Sequence, residues 1–134
     1  MKLLTVHYMG FTAMDRRFSN PMLPWIVSEI RKRDCYERVS LGVEDGVLQA
    51  YNSDFELQFS HHVQNMSRFS QADIDPCTFL YLVRDDGEQL LYCYLFQALK
   101  ASDVSTNLRW TLTYCYKSSL YNMMHAEGKW MGIL

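Results

Sequence analysis

The stretch Asn20-Pro21-Met22-Leu23-Pro24-Trp25-Ile26-Val27-Ser28-Glu29-Ile30-Arg31-Lys32-Arg33 reads as a helix. Leu23, Ile26, Val27 and Ile30 fall at i, i+3, i+4 and i+7, so four apolar side chains share one face. Pro21 and Pro24 suit a first turn, where the N–H groups have no intrahelical partner. Asn20 is the expected N-cap, and Arg31, Lys32 and Arg33 complement the negative end of the helix dipole. One amphipathic helix needs a surface on which to bury its stripe. The sequence around it reads as strands up to about residue 97, so the expected surface is a curved antiparallel sheet.

Working outward, residues 3–9 alternate, with Leu4, Val6 and Tyr8 on one face and Thr5 and His7 on the other. Residues 10–19 read as a connection into the helix. Residues 36–43 alternate again, with Val39, Leu41 and Val43 inward. Asp45-Gly46 marks a tight hairpin, because both positions tolerate φ > 0, and residues 47–51 return. Asn52-Ser53-Asp54 is a second turn, before a strand over 55–60 with Leu57 and Phe59 inward. Residues 63–72 form the most polar strand, which suits a sheet edge. Asp73 to Pro76 is a loop. Residues 78–83 and 90–96, rich in β-branched and aromatic side chains, are joined by Asp85-Asp86-Gly87. These make seven strands with short turns. After Ala101, Ser102 is placed to cap a second helix, with Val104, Leu108, Leu112 and Cys115 as its stripe; residues 110–114 carry the competing strand propensity. Residues 1–120 are expected to be one domain, and residues 121–134 an irregular C-terminal tail.

At 134 residues with a 49% hydrophobic share, one domain can build its own core. No apolar run has the length of a membrane span, and residues 1–10 lack the apolar region and cleavage site of a signal peptide. Cys35, Cys77, Cys93 and Cys115 have no C-x-x-C spacing and read as free thiols of a cytoplasmic protein. The net charge of −2 hides a split. Residues 1–40 carry seven Lys/Arg against four Asp/Glu, and residues 41–103 carry three against ten. The first third could meet phosphate or acidic head groups. No nucleic-acid motif is present, and no nucleic-acid partner is expected. His61 and His62 point to opposite faces of a strand and cannot chelate one ion, so no metal is expected, and His61-His62 reads as a solvated strand end. No Walker loop, G-x-S-x-G or G-x-G-x-x-G appears, and the Asp pairs are explained by turns. No catalytic residue and no cofactor is expected.

The order strand, long helix, six strands, terminal helix resembles the phosphotyrosine-binding (PTB) domain of the pleckstrin-homology superfold. Residues 21–31, Pro-Met-Leu-Pro-Trp-Ile-Val-Ser-Glu-Ile-Arg, are similar to the equivalent helix in the N-terminal PTB domains of TBC-type Rab GTPase-activating proteins, the Akt-substrate group. Asp75-Pro76 with Phe79, and Tyr92-Cys93-Tyr94-Leu95-Phe96, sit where that family has its D-P-x-x-F and C-x-V-F patterns. The likeness covers roughly residues 3–100. It departs from the pattern beyond them, where the family's late phenylalanine is not evident. No GTPase-activating segment is recognised in the sequence. The resemblance implies an α+β, mainly β fold: a seven-stranded antiparallel curved sheet or partly open barrel, with a helix between strands 1 and 2 and a C-terminal helix.

It also implies a non-enzymatic interaction module. In PTB domains a peptide tail, often Asn-Pro-x-Tyr (NPxY), adds as an antiparallel strand to the fifth strand and lies against the terminal helix. The matching edge here is Met66, Ser67, Arg68, Phe69 and Ser70, and the facing wall would be Leu108, Leu112 and the aromatic Trp110 or Tyr116. Arg68 is the only Lys or Arg between Val39 and Phe79, whereas a phosphotyrosine pocket needs converging cations, so phosphate-independent binding is expected. The alternative partner is a phosphoinositide membrane surface, met by Arg16, Arg17, Lys32 and Arg33.

Overall fold

The computed structural model describes residues 3–14, 20–72, 75–85, 87, 90–104 and 112. Strand β1 (Leu4–Met14) is followed by a short 3₁₀ turn (Asn20–Met22) and helix α1 (Leu23–Arg31). Then come β2 (Glu37–Glu44), β3 (Val47–Tyr51), β4 (Leu57–His62), a second 3₁₀ turn (Val63–Asn65), β5 (Met66–Gln71), β6 (Thr78–Arg84) and β7 (Leu91–Ala98). All seven strands join one antiparallel sheet in the order β4-β3-β2-β1-β7-β6-β5. The fold is mainly β, as expected.

The sheet curls strongly. His61 on β4 and Tyr81 on β6 are five strands apart in the order, a separation of roughly 24 Å in a flat sheet. Yet His61 Nδ1 and the Tyr81 hydroxyl share a hydrogen bond of 2.9 Å. Phe59 on β4 likewise lies 5.2 Å, centroid to centroid, from Tyr94 on β7. This closure encloses an inner core containing Val6, Val39, Leu41, Leu48, Phe79, Tyr81 and Phe96. A second core lies on the outer face, where the buried α1 residues Leu23, Ile26 and Ile30, with Val27 beside them, pack on Met9, Met14, Leu80, Leu82, Cys93 and Leu95. β6 is apolar from Phe79 to Val83 because it serves both: Phe79, Tyr81 and Val83 face inward, Leu80 and Leu82 face α1. The α1 stripe and its sheet partner are those the sequence predicts.

The strands expected over residues 55–60 and 63–72 are β4 and β5, with the 3₁₀ turn Val63–Asn65 between them, and four further details differ from the expectation. The helix is capped at Met22 without a side-chain hydrogen bond, so Asn20 is not the N-cap of α1. β1 does not stop at Met9. Gly10, at φ +127°, sits at a bulge where the register slips from Tyr8↔Phe96 to Gly10↔Leu95, and the strand continues to Met14. The slip breaks the period-two pattern, which is why residues 10–14 read as a connection. β4 carries a bulge too. Its register passes from Phe59↔Ala50 to Leu57↔Tyr51, leaving Gln58 as the extra residue. Leu57 is thereby turned outward and is 52% exposed, against the inward position expected. Finally, His61 is not a solvated strand end, since it faces Tyr81 and Tyr94 within the curl. The turns follow the sequence: Asp45 and Gly46 both have positive φ, and Asn52 Oδ1 accepts from the backbone N–H groups of Asp54 and Glu56 at 2.9 Å.

Candidate functional site

β5 is the last strand of the sheet, with β6 on one side and no further strand on the other among the described residues. Its register, Met66↔Val83, Arg68↔Leu82, Phe69↔Tyr81, Ser70↔Leu80 and Gln71↔Phe79, assigns each side chain a face. Met66, Phe69 and Gln71 point to the inner side; Arg68 and Ser70 point to the α1 side. Ser67 has no register partner and is the extra residue of a bulge. The two apolar residues predicted for the site, Met66 at 1% and Phe69 at 8% exposure, are core residues that hold the edge in place. Ser67 is exposed and Ser70 partly so, and these small side chains permit close approach of another backbone.

The described surroundings of the edge differ on its two sides. On the inner side, Gln71 Nε2 donates to the carbonyls of Pro76 (2.6 Å) and Ala101 (3.5 Å), tying β5 to the start of the C-terminal segment. The backbone is helical at residues 101–102, with a wider turn at 103–104, and helical again at Leu112. Val104 and Leu112 are fully buried in the inner core. Leu108, Trp110 and Tyr116, predicted for this wall, lie outside the described residues.

On the outer side, a cleft of about 500 Å³ separates α1 from β5 and the start of β6. Leu23, Val27, Phe79, Leu80 and Leu95 supply its apolar lining, with Arg31, Asp75 and Thr78 at one end. Arg31 Nη2 donates to Thr78 Oγ1 at 2.9 Å, and Thr78 Oγ1 donates to Asp75 Oδ2 at 2.8 Å. Asp75 Oδ1 also accepts from the Cys77 N–H, and these hydrogen bonds, that from Thr78 foremost, lower the Asp75 pKa. Sequence reading takes Asp75 for a turn former and, by resemblance, the first residue of a D-P-x-x-F pattern. The Asp75-x-x-Thr78 spacing is the signal for the tie to the strand; its partner Arg31 sits 47 positions from Thr78 and leaves no local signal.

A second cavity of about 420 Å³ lies at the N-terminal end of β5, among Phe11, His61, Asn65, Arg84, Asp85 and Tyr94. Burial lowers the His61 pKa to about 4, so its ring is neutral at physiological pH. Burial, and then the Asp85 carboxylate, raise the Tyr94 pKa. Two of the four lipid candidates lie among the described residues. Lys32 Nζ is 3.0 Å from Glu29 Oε1, Arg33 Nη1 donates to the Phe11 carbonyl, and Arg16 and Arg17 lie outside the described residues. Among the described residues no group of three or more His, Cys, Asp or Glu could hold a metal ion, and no helix is long and apolar enough to cross a membrane.

Comparison with known proteins fits this architecture. No model of a known protein family matches the chain. Its sequence is 28% identical over 136 residues to mouse TBC1 domain family member 4, an alignment spanning 77% of this chain and 10% of that protein. Among solved structures, the C-terminal phosphotyrosine interaction domain of mouse APBB2 superposes with a TM-score of 0.71 at 17% identity, covering 87% of this chain and 85% of that one. The chain has the fold of a phosphotyrosine-interaction (PTB) domain, and its sequence is similar to one short stretch of a TBC1-domain protein.

Proposed function

We propose that this chain is a non-enzymatic module that binds an extended, NPxY-like tail of another cytoplasmic protein as an added strand on β5. The observation that carries this is the position of β5: last in the sheet order among the described residues, anchored by Met66 and Phe69 in the core, and flanked on its outer side by the α1 cleft. A guest strand would gain main-chain hydrogen bonds along the edge, and the walls would choose its side chains. The likeness to TBC1 domain family member 4 supports a role within a Rab-regulating protein.

Binding is proposed to be independent of phosphate. A phosphotyrosine site needs two or more converging cations. Among the described residues lining the cavity at the N-terminal end of β5, Arg84 stands beside the Asp85 carboxylate and the neutral His61. Isothermal titration of paired NPxY and NPx-phosphotyrosine peptides tests both claims, on wild type and on Ser67→Pro. The expected result is equal affinity for the pair and loss of both on the variant. Phosphorylation raising affinity about tenfold would end the phosphate-independent reading, and binding unaffected by Ser67→Pro would end strand addition. Phosphoinositide liposomes serve as the control for the alternative partner. Retention of liposome binding by Ser67→Pro, with its loss on charge reversal of Arg16 and Arg17, would point to a membrane surface instead.

A further inference from the structure

Strand pairing on β5 would also fix which guest side chains face α1. In an antiparallel pair, directly opposed residues place their side chains on the same face. Ser70 faces α1, so the guest residue opposite it also faces α1, at the mouth of the 500 Å³ cleft. Ser70 is itself part of the cleft wall, with Gln71 and Ala72 beside it. Behind it the lining is apolar, with Leu23 and Val27 of α1 facing Leu80 and Leu95 of the sheet. Further along, the Ala72 N–H donates to the Thr78 carbonyl at 2.9 Å, which extends the pairing by one step. Arg31 lies over Thr78, on the α1 side. Its guanidinium gives one N–H to Thr78 Oγ1, stands 3.9 Å from Asp75 and is 43% exposed. Asp75 spends both oxygens on Thr78 and Cys77. Arg31, ion-paired with Asp75 only at 3.9 Å and part-exposed, is the cation at this end of the cleft that an acidic group on the guest would share with Asp75.

We infer that the cleft between α1 and β5 is a second specificity pocket for the same guest chain. It takes a Leu-, Ile- or Met-sized side chain from the residue paired with Ser70, and Arg31 receives an acidic residue two positions before it. The direction follows from the antiparallel pairing: the guest runs opposite to β5, so the residue beside Ala72 precedes the one beside Ser70. The resulting preference, acidic-x-apolar upstream of the tail's turn, deepens the strand-addition reading and rests on it.

A display library of 16-residue peptides tests it, with Asn-Pro-x-Tyr fixed near the C-terminus and all upstream positions random. Selection on the wild-type chain should enrich an apolar residue at one upstream position and Asp or Glu two before it. Ser28→Trp places a large ring in the cleft from an exposed helix position and should erase the apolar preference. Arg31→Glu should turn the acidic preference basic. Replacing the selected apolar residue by Ala should weaken binding to wild type about tenfold, measured by fluorescence anisotropy, and should leave binding to Ser28→Trp unchanged. Selected peptides that bind wild type and fail on Ser67→Pro, yet show no upstream preference, would overturn the second pocket and leave strand addition standing. Peptides that bind Ser67→Pro as well as wild type would overturn both.

Discussion

The sheet has two terminal strands, β4 and β5, and they are alike in form. Each is six residues long, and each carries one bulge with an exposed extra residue, Gln58 in β4 and Ser67 in β5. Their surroundings differ. β4 ends beyond an exposed Phe55 and Leu57, and its inward residues Phe59 and His61 reach across the curl to β6 and β7. β5 inserts Met66 and Phe69 into the core and lies between the C-terminal segment and the α1 cleft. The comparison teaches that a terminal position in the sheet alone does not make a recognition site. Backbone groups of an edge are chemically the same in any strand, so specificity has to come from the walls beside it.

Four experiments break or sharpen this contrast. The largest effect is expected in stability. Phe69→Ala should cost about 3–5 kcal/mol by urea denaturation, whereas Leu57→Ala on the opposite edge should stay within about 0.5 kcal/mol, because the first empties a core position and the second trims a half-exposed one. Next comes binding. Ser67→Pro should weaken NPxY-peptide affinity at least thirtyfold, about 2 kcal/mol, and the matched Gln58→Pro should leave it unchanged, since both residues are extra in their bulges and neither holds a register position. Equal losses would mean the two edges are not distinguished.

A third experiment probes how β4 is held. Tyr81→Phe removes the partner of His61 Nδ1 and should cost about 1 kcal/mol. The pH dependence has a fixed sign. The unfolded chain takes up a proton on this residue near pH 6.5, whereas the folded chain resists protonation down to about 4. Stability should therefore fall as the pH drops from about 6.5 to about 4, and His61→Leu should flatten that slope. The smallest effect concerns the outer wall. Arg31→Ala should change stability by no more than about 1 kcal/mol, because the ion pair with Asp75 is long and exposed. It should still weaken peptides that carry the upstream acid.

Much of this was legible in the residues. The α1 stripe, the Asp45-Gly46 hairpin, the Asn52 turn and the polar character of residues 66–71 all depend on neighbours within a few positions. The three bulges, at Gly10, Gln58 and Ser67, were not legible. A slip at Gly10 or Gln58 leaves the local composition unchanged and only moves the alternation by one, which sets Phe11 against Tyr94 while leaving it largely exposed and turns Leu57 outward. The shared fates of Met66 and Phe69 were also undecided, since the same apolar side chain suits a core or a groove until the register of β5 against β6 is known.

Local sequence determined the elements, their order and the mainly β class, because propensity, periodicity and turn chemistry act over short distances. Tertiary structure decided which strands became edges, which face each β5 side chain took, and that Arg31, Thr78 and Asp75 meet beside a cleft. Those outcomes depend on how far the sheet curls and where α1 settles on it, and both are set by the packing of residues distant in the chain rather than by any stretch read alone.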